Sequence, residues 1–239
     1  MPKPFKTWTV LPHGPLREVD DGILTVVGDI PMPLGQLPRR MTVVRLSDGK
    51  LVIYSAIALN EAEMTSLEGY GTPGFLIVPN ALHRLDARIW KARYPAMKVI
   101  APAGAAKAVS EIVPVDATAF EFNDRSVAFV DVAGTKARDS ALVIQREGGA
   151  TLVVNDIVGN IRDARGASGF ILKIMKFAGS KPHIPRPVRA RLVDDRKALR
   201  DQLVGWAALP NLRRILVSHG DIIDGDPAAA LRTLAASLQ

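Results

Sequence analysis

Runs of apolar and β-branched residues alternate with helix-forming stretches through the first half of the chain. The runs at residues 23–28, 41–46 and 51–55 predict strands, and Ser47-Asp48-Gly49 predicts a tight hairpin turn between the last two. A helix is predicted over residues 60–70, with Asn60 as its N-cap candidate. The same reasoning predicts further strands at 75–78 and 98–101, and further helices at 85–94 and 104–112.

The second half begins with a block of strands and ends in helices. Strands are predicted at 118–122, 126–132, 141–145, 151–154 and 213–217. Helical segments are predicted at 165–177, 194–208 and 227–237, and the three prolines of 181–187 predict a loop. Asp194 and Asp195 are N-cap candidates for the middle helix, and Asp226 precedes the last one. Two strand-rich blocks with helices predict an α/β or α+β fold in one domain, with two packed sheets.

The amino-acid composition excludes several kinds of catalytic and metal site. The chain has 239 residues, of which 48% are hydrophobic and 23% charged, as is typical of a soluble globular protein. It has no cysteine, which excludes thiol catalysis, cysteine zinc sites and iron–sulfur clusters. A metal would therefore need histidine and carboxylate ligands. No apolar run reaches signal-peptide character or the roughly 18 residues of a membrane helix, so we expect a cytoplasmic protein with no integral membrane segment.

The formal net charge of +7 is concentrated in one segment. Residues 161–214 carry 13 Lys and Arg against 4 Asp and Glu, whereas the remainder carries 18 against 20. This excess is compatible with a small anionic ligand or substrate, although a solvated helix face is the more common origin of such a pattern. Few aromatic residues interleave with it, so we expect no nucleic-acid partner. Glycine-rich phosphate loops and a G-x-S-x-G elbow are absent from the sequence.

Polar residues follow three of the predicted strands, where the active groups of α/β proteins collect. They are Asn80 and His83 in FLIVPNALH, Asn155 and Asp156 in TLVVND, and His219 and Asp221 in RILVSHGD. Imidazole and carboxylate groups are the usual ligands of borderline metal ions where thiolates are missing. These loops therefore hold the candidate chemistry.

The PNALH loop, the strand-end VVND and the late VSHGD resemble an uncharacterised family of metallo-β-lactamase-like proteins. The resemblance runs from about Val26 to Ile223. It implies a four-layer αβ/βα sandwich with the site at one edge, between the sheets. It also implies a single domain over residues 1–239, with a basic helical insertion around 161–210.

The chain departs from the family's catalytic pattern at most ligand positions. Catalytic members carry H-x-H-x-D-H, and the corresponding residues are Asn80, Leu82, Arg84 and Leu85. Thr135 stands where a histidine usually follows a glycine. The resemblance matches Asp156 to the bridging aspartate and His219 to the last ligand histidine. A dinuclear zinc site is therefore not expected, because leucine and arginine are not metal ligands.

Two hypotheses remain open. In the first, the protein is a metal-dependent hydrolase in which His83, Asp156 and His219 bind one zinc, manganese or iron ion; Asp156, His219 and Asp221 form the catalytic group, with Asp221 moving a proton. Asn80, Thr135 and Asn155 then line the pocket. In the second, the protein binds no metal, and Asp156 and His219 belong to a vestigial hydrogen-bonded network around a ligand or partner site. The missing ligand residues favour a divergent member of the family that lacks the dinuclear zinc site. The substrate, the reaction and the oligomeric state stay open.

Overall fold

The structure is a computed structural model that describes residues 3–32, 35–162 and 178–239. These residues form two compact units. The first contains residues 3–32 and 37–125, and the second contains 35–36, 126–162 and 178–239. The helical region predicted at 165–177 lies outside the described residues. Within the described ranges, no helix combines the length and the apolar character needed to cross a membrane.

The first unit is organised around a six-stranded sheet in the order β1-β2-β3-β4-β5-β6. Its strands are β1 (Arg17–Asp20), β2 (Ile23–Met32), β3 (Gly35–Arg45), β4 (Lys50–Tyr54), β5 (Thr72–Ile77) and β6 (Lys98–Ile100). Strands β4, β5 and β6 run parallel to one another, so the segments that follow β4 and β5 leave the sheet at the same edge. That edge carries Ser55 and the loop with His83.

Three helices complete the first unit: α1 (Glu61–Tyr70), α2 (Ala87–Arg93) and α3 (Ala103–Ser110). Helices α1 and α2 place Met64, Leu67 and Trp90 in a core that also contains Leu51 and Ile53 of β4. Helix α1 begins as the sequence predicts, because the side chain of Asn60 accepts a hydrogen bond from the Glu63 backbone at 3.0 Å.

The second unit contains a four-stranded sheet in the order β10-β9-β8-β7. Its strands are β7 (Val127–Asp131), β8 (Ser140–Arg146), β9 (Gly149–Asn160) and β10 (Leu212–Gly220), and its helices are α4 (Arg186–Leu192), α5 (Arg196–Ala207) and α6 (Pro227–Ala236). Strand β8 is antiparallel to β7 and β9, whereas β9 and β10 are parallel. The parallel pair brings the carboxyl ends of β9 and β10 side by side.

Helices α5 and α6 cover the second sheet with leucines. Leu199, Leu203 and Leu231 are fully buried and share a core with Leu152 and Ile215 of the strands. Asp195, not Asp194, caps α5 by accepting from the Ala198 backbone at 2.9 Å, and Asp226 caps α6 in the same way at 2.8 Å. Two of the predicted helix starts in this unit are thereby confirmed.

Three element predictions need correction. Residues 118–122 form no strand, and Phe120 and Phe122 instead pack on Phe75 with ring centroids 5.1 and 5.2 Å away. Helix α4 begins inside the predicted loop 181–187, since a proline in the first helical turn loses no intrahelical hydrogen bond. Strand β9 runs to Asn160, well beyond the predicted end at residue 154, because a bulge lets pairing resume after a break.

Candidate functional site

The pairing of β9 with β10 is interrupted where the candidate residues lie. Val217 faces Val154, but the next paired residues are His219 and Gly159. Residues 155–158 of β9 therefore stand opposite the single residue Ser218 of β10, and all four are buried. A bulge of this kind bends the strand and changes where its side chains point. It explains how Asp156, although inside a strand, reaches a residue of the neighbouring one.

Asp156 and His219 contact each other directly. The Nε2 atom of His219 lies 3.0 Å from Oδ1 of Asp156, and each residue is only 6% exposed. The distance suits a hydrogen bond. It is also close to the separation of two ligand atoms on one ion, because two bonds of about 2.0–2.1 Å at a tetrahedral angle place their ends about 3.3 Å apart. The structure thus brings together two of the three predicted metal ligands.

Gly220 fixes the turn that follows His219. Its φ is +110°, and a Cβ at this position would lie 2.2 Å from the carbonyl oxygen of Asn160. Only glycine fits this close backbone approach without a shift of the chain. The next residue is tied to the same strand, because Asp221 N donates to Asn160 O at 3.0 Å and Asn160 Nδ2 donates to Asp221 O at 2.9 Å. The backbone of Asp221 is held while the residue itself is exposed.

Asn155 is fully buried next to Asp156 in the chain, and its amide Nδ2 donates to Oδ1 of Asp139 at 3.2 Å. Asp139 is fully buried as well, and the same oxygen accepts from the Ser140 backbone at 3.2 Å. Sequence reasoning predicted Asn155 as a pocket residue and missed Asp139. The signal available was an aspartate directly before an apolar strand, in the segment RDSALVI.

Thr135 is fully buried in the turn between β7 and β8. Its hydroxyl donates to Val132 O at 2.7 Å. The preceding Gly134 has φ +75°, and its carbonyl oxygen accepts from the backbones of Asp194 and Asp195 at the start of α5. A Cβ on residue 134 would lie 2.1 Å from Asp195 O, so this turn requires glycine. The position that the resemblance matches to a ligand histidine is therefore a packed turn in this chain.

In the first unit, Asn80 shapes the loop after β5. Asn80 is buried, and its Oδ1 accepts from the backbones of Leu82 at 2.8 Å and His83 at 3.2 Å. The side chain of Asn80 thus closes a local turn. The ring of His83 contacts a residue that sequence reasoning missed, because Nδ1 lies 2.8 Å from Oγ of Ser55. The available signal was a polar residue directly after the β4 strand.

A buried ion pair holds the far end of the same loop. Oδ2 of Asp86 accepts from Arg39, and Oδ1 accepts from the Ala58 backbone at 3.0 Å. Burial raises the pKa of Asp86, and the charge and hydrogen bonds of Arg39 oppose that shift. Both side chains are almost fully enclosed. His83 thus belongs to a loop that is fixed at residue 80 and again at residue 86.

The donor types suit one borderline divalent ion. His83, Asp156 and His219 offer two imidazoles and one carboxylate as potential ligands. Zinc, manganese and iron all accept such donors, and a thiolate set is excluded because the chain has no cysteine. Nδ1 of His83 lies against Oγ of Ser55, so we assign Nε2 as the candidate ligand atom of that ring. The residues present therefore fit a single metal ion by their chemistry.

Comparison with solved structures identifies the fold. The mono-zinc form of the metallo-β-lactamase FIM-1 from Pseudomonas aeruginosa matches with a TM-score of 0.63 and 10% identity, over 95% of this chain and 96% of that one. The metallo-β-lactamase DIM-1 exposed to ceftazidime matches with a TM-score of 0.64 and 12% identity, over 97% of this chain and 100% of that one. A metallo-β-lactamase from Hirschia baltica matches with a TM-score of 0.61 and 10% identity, over 93% and 98%.

No family model and no curated protein matches the sequence. At these identities, agreement over nearly the whole length of both chains establishes the architecture and not the activity. It confirms the fold class that the strand-end motifs predict. The chain has the metallo-β-lactamase fold.

Proposed function

We propose that the protein is a hydrolase that depends on a single divalent metal ion and acts on a small anionic substrate. His83, Asp156 and His219 are the proposed ligands. The observation that carries the proposal is the buried contact of 3.0 Å between Asp156 and His219, where the pairing of the parallel strands β9 and β10 is interrupted. Three protein ligands with a remaining open position are the usual arrangement of a catalytic zinc.

The proposed centre holds one ion rather than two. Leu82, Arg84 and Leu85 lack ligand atoms where catalytic members carry histidine or aspartate. The hydroxyl of Thr135 donates to a backbone carbonyl inside a packed turn. A second cation would find too few imidazoles and carboxylates to offset its desolvation.

A bound divalent ion would supply Lewis-acid activation of water. Asp156 and His219 would contribute a carboxylate and an imidazole from the neighbouring strands β9 and β10, and His83 would contribute a second imidazole. The exposed carboxylate of Asp221 would accept the proton that the attacking water loses, and its backbone bonds to Asn160 hold it beside His219. Asn80 shapes the His83 loop, and the buried residues Asn155 and Thr135 would line the pocket together with it.

The basic segment supports the proposal of an anionic substrate. On α4 and at the start of α5, four arginines form no ion pair with an acidic residue of the described chain: Arg186, Arg189, Arg191 and Arg196. Guanidinium groups bind phosphates and carboxylates through paired hydrogen bonds. A cytoplasmic location fits such a substrate and stays a prediction.

A second candidate function is ligand or partner binding without metal. The same contact of 3.0 Å favours it, because a hydrogen bond between Asp156 and His219 satisfies two buried polar groups without a cation. In that case the site would be the remnant of a catalytic site, and it would bind a ligand without catalysing a reaction.

Hydrolysis assays distinguish the two functions. Tag-free protein is stripped with a chelator, reloaded with zinc, manganese or iron, and tested on phosphoesters, thioesters and lactones. We expect turnover of one class that depends on the metal, falls by at least about 100-fold in His219→Ala, and persists in His13→Ala, which removes an imidazole elsewhere. Equal rates in the stripped, reloaded and His219→Ala proteins would contradict the proposal and leave the binding function.

A further inference from the structure

Ser55 has an unusual backbone conformation for its residue type. It follows β4 directly, is 4% exposed, and has a φ of +56°. A residue with a side chain adopts this left-handed region at a cost of about 1 kcal/mol or more, so the surrounding structure must hold it there. Its backbone amide does so by donating to Ile77 O at 3.1 Å, at the end of the neighbouring strand β5.

The strained conformation places the Ser55 hydroxyl against one histidine. Oγ of Ser55 lies 2.8 Å from Nδ1 of His83, although 28 residues separate them in the chain. The backbone of His83 is held from the other side, because His83 N donates to both oxygens of Asn80 at 3.2 and 3.3 Å. Ring and backbone of His83 are thus both fixed within the first unit.

The direction of this hydrogen bond is coupled to which nitrogen of His83 carries the proton. A neutral imidazole has one N–H and one lone pair, and a hydroxyl can serve as donor or acceptor. If Ser55 accepts from Nδ1–H, the lone pair lies on Nε2, as a metal ligand requires. If Ser55 donates instead, Nε2 carries the proton and cannot bind a metal.

We propose that Ser55 is a positioning residue that accepts the Nδ1–H of His83 and so keeps the lone pair on Nε2. The role in metal binding rests on the proposed function, whereas the tautomer of His83 can be measured on metal-free protein. Ser55 is nearly enclosed and His83 is half-buried, so the histidine is the more accessible partner. This difference in exposure is what we expect if His83 binds the metal and the more deeply buried Ser55 orients its ring.

Three variants separate the role of the hydroxyl from that of the backbone. Ser55→Gly removes the hydroxyl and relieves the cost of the positive φ. Ser55→Asn keeps an acceptor oxygen on a residue type that tolerates the left-handed region. Ser66→Ala is the matched control, because Ser66 lies in the same unit and its hydroxyl also makes one hydrogen bond, to Ala62 O at 3.0 Å.

Two measurements read the outcome. Ring ¹⁵N shifts from long-range ¹H–¹⁵N correlation, taken on metal-free protein at a pH where the rings are neutral, report each tautomer, and the chain has only four histidines to assign. Zinc affinity is measured by competition with a chelating indicator. We expect the Nδ1–H form of His83 in wild type, Ser55→Asn and Ser66→Ala, and a mixture in Ser55→Gly. Zinc should bind about 10–100-fold more weakly to Ser55→Gly and nearly as in wild type to the other two.

The Nε2–H form in the wild type, or one tautomer and one zinc affinity in all four proteins, would overturn the inference. Covalent labelling of Ser55 by a fluorophosphonate, located by peptide mass spectrometry, would also overturn it and identify Ser55 as a nucleophile. Failure of the proposed function would give a different result from failure of this inference. A wild type that binds no zinc would contradict the metal site, while the tautomers of the metal-free proteins would still decide the role of Ser55.

Discussion

The two units place polar groups on or next to parallel strands in contrasting ways. In the first unit, a side-chain turn at Asn80 and a buried ion pair between Arg39 and Asp86 hold the loop of His83. In the second, a bulge in β9 places Asp156 against His219 with no intervening loop. In the first unit, the buried ion pair therefore stabilises a loop. In the second, a buried carboxylate and a buried imidazole contact each other directly.

This contrast assigns different roles to charged residues of similar burial. Asp86 is saturated by a guanidinium and a backbone amide, so it has a structural role. Asp156 faces a group that can bind a metal or a proton. Burial alone does not separate the two aspartates; their partners do.

Loss of the loop anchor should have the largest effect. Asp86→Ala leaves the Arg39 guanidinium buried without its carboxylate and the Ala58 amide without its acceptor, which should lower the free energy of unfolding by about 3–5 kcal/mol. Urea denaturation followed by circular dichroism measures it. The double variant Arg39→Met, Asp86→Leu should recover most of the loss, because it removes both charges. If Asp86→Ala unfolds like wild type, the ion pair does not anchor the loop.

Zinc should stabilise the protein through the second unit's contact. At a concentration 100 times the Kd, a ligand that binds only the folded state adds about 2.7 kcal/mol, which differential scanning fluorimetry detects as a higher Tm. We expect this increase in wild type and His13→Ala and its absence in His219→Ala. An equal increase in His219→Ala would place the zinc elsewhere in the chain.

The turn after His219 should tolerate no side chain. Gly220→Ala forces a Cβ against the Asn160 carbonyl at a positive φ, so we expect a loss of about 2 kcal/mol and weaker zinc binding. Gly205→Ala is the matched control within the same unit, because a Cβ there meets nothing within 4 Å inside helix α5. It should raise stability by about 0.5–1 kcal/mol. Equal behaviour of the two variants in urea denaturation would contradict the close approach at residue 220.

The helix caps should have the smallest effect and should be alike in both units. Asn60→Ala in the first unit and Asp226→Ala in the second each remove one side-chain bond to the helix start. Each should cost about 1 kcal/mol in the free energy of unfolding and leave zinc affinity unchanged. A change in zinc affinity in either variant would show that the caps do more than stabilise helices.

Local features of the fold were predictable from the sequence, whereas long-range contacts were not. The caps at Asn60 and Asp226 depend on residues three positions apart, so their signals are visible in a single segment. The strand at 118–122 was a wrong prediction, because the clustering of Phe120 and Phe122 on Phe75 depends on a segment more than 40 residues away. Helix α4 was missed because the prolines at 185 and 187 predict a loop in the sequence.

The candidate site was predictable in part for the same reason. The carboxyl ends of parallel strands meet at one edge, and this rule selects Asp156 and His219. The bulge that lets them touch is a property of strand pairing and leaves no sequence signature. Ser55 and Asp139 were missed because their partners lie 28 and 16 residues away in the chain. The functional roles of Asp156, His219, His83, Asp221 and the pocket residues all stay predictions.

The most direct test of the central claim is metal content by plasma mass spectrometry. Tag-free protein purified without chelator is measured before and after incubation with zinc, manganese or iron, beside His219→Ala and His13→Ala. We predict about one metal ion per chain in wild type and His13→Ala, and almost none in His219→Ala. No metal in wild type after any loading, or an equal content in His219→Ala, would contradict a metal centre built on Asp156 and His219.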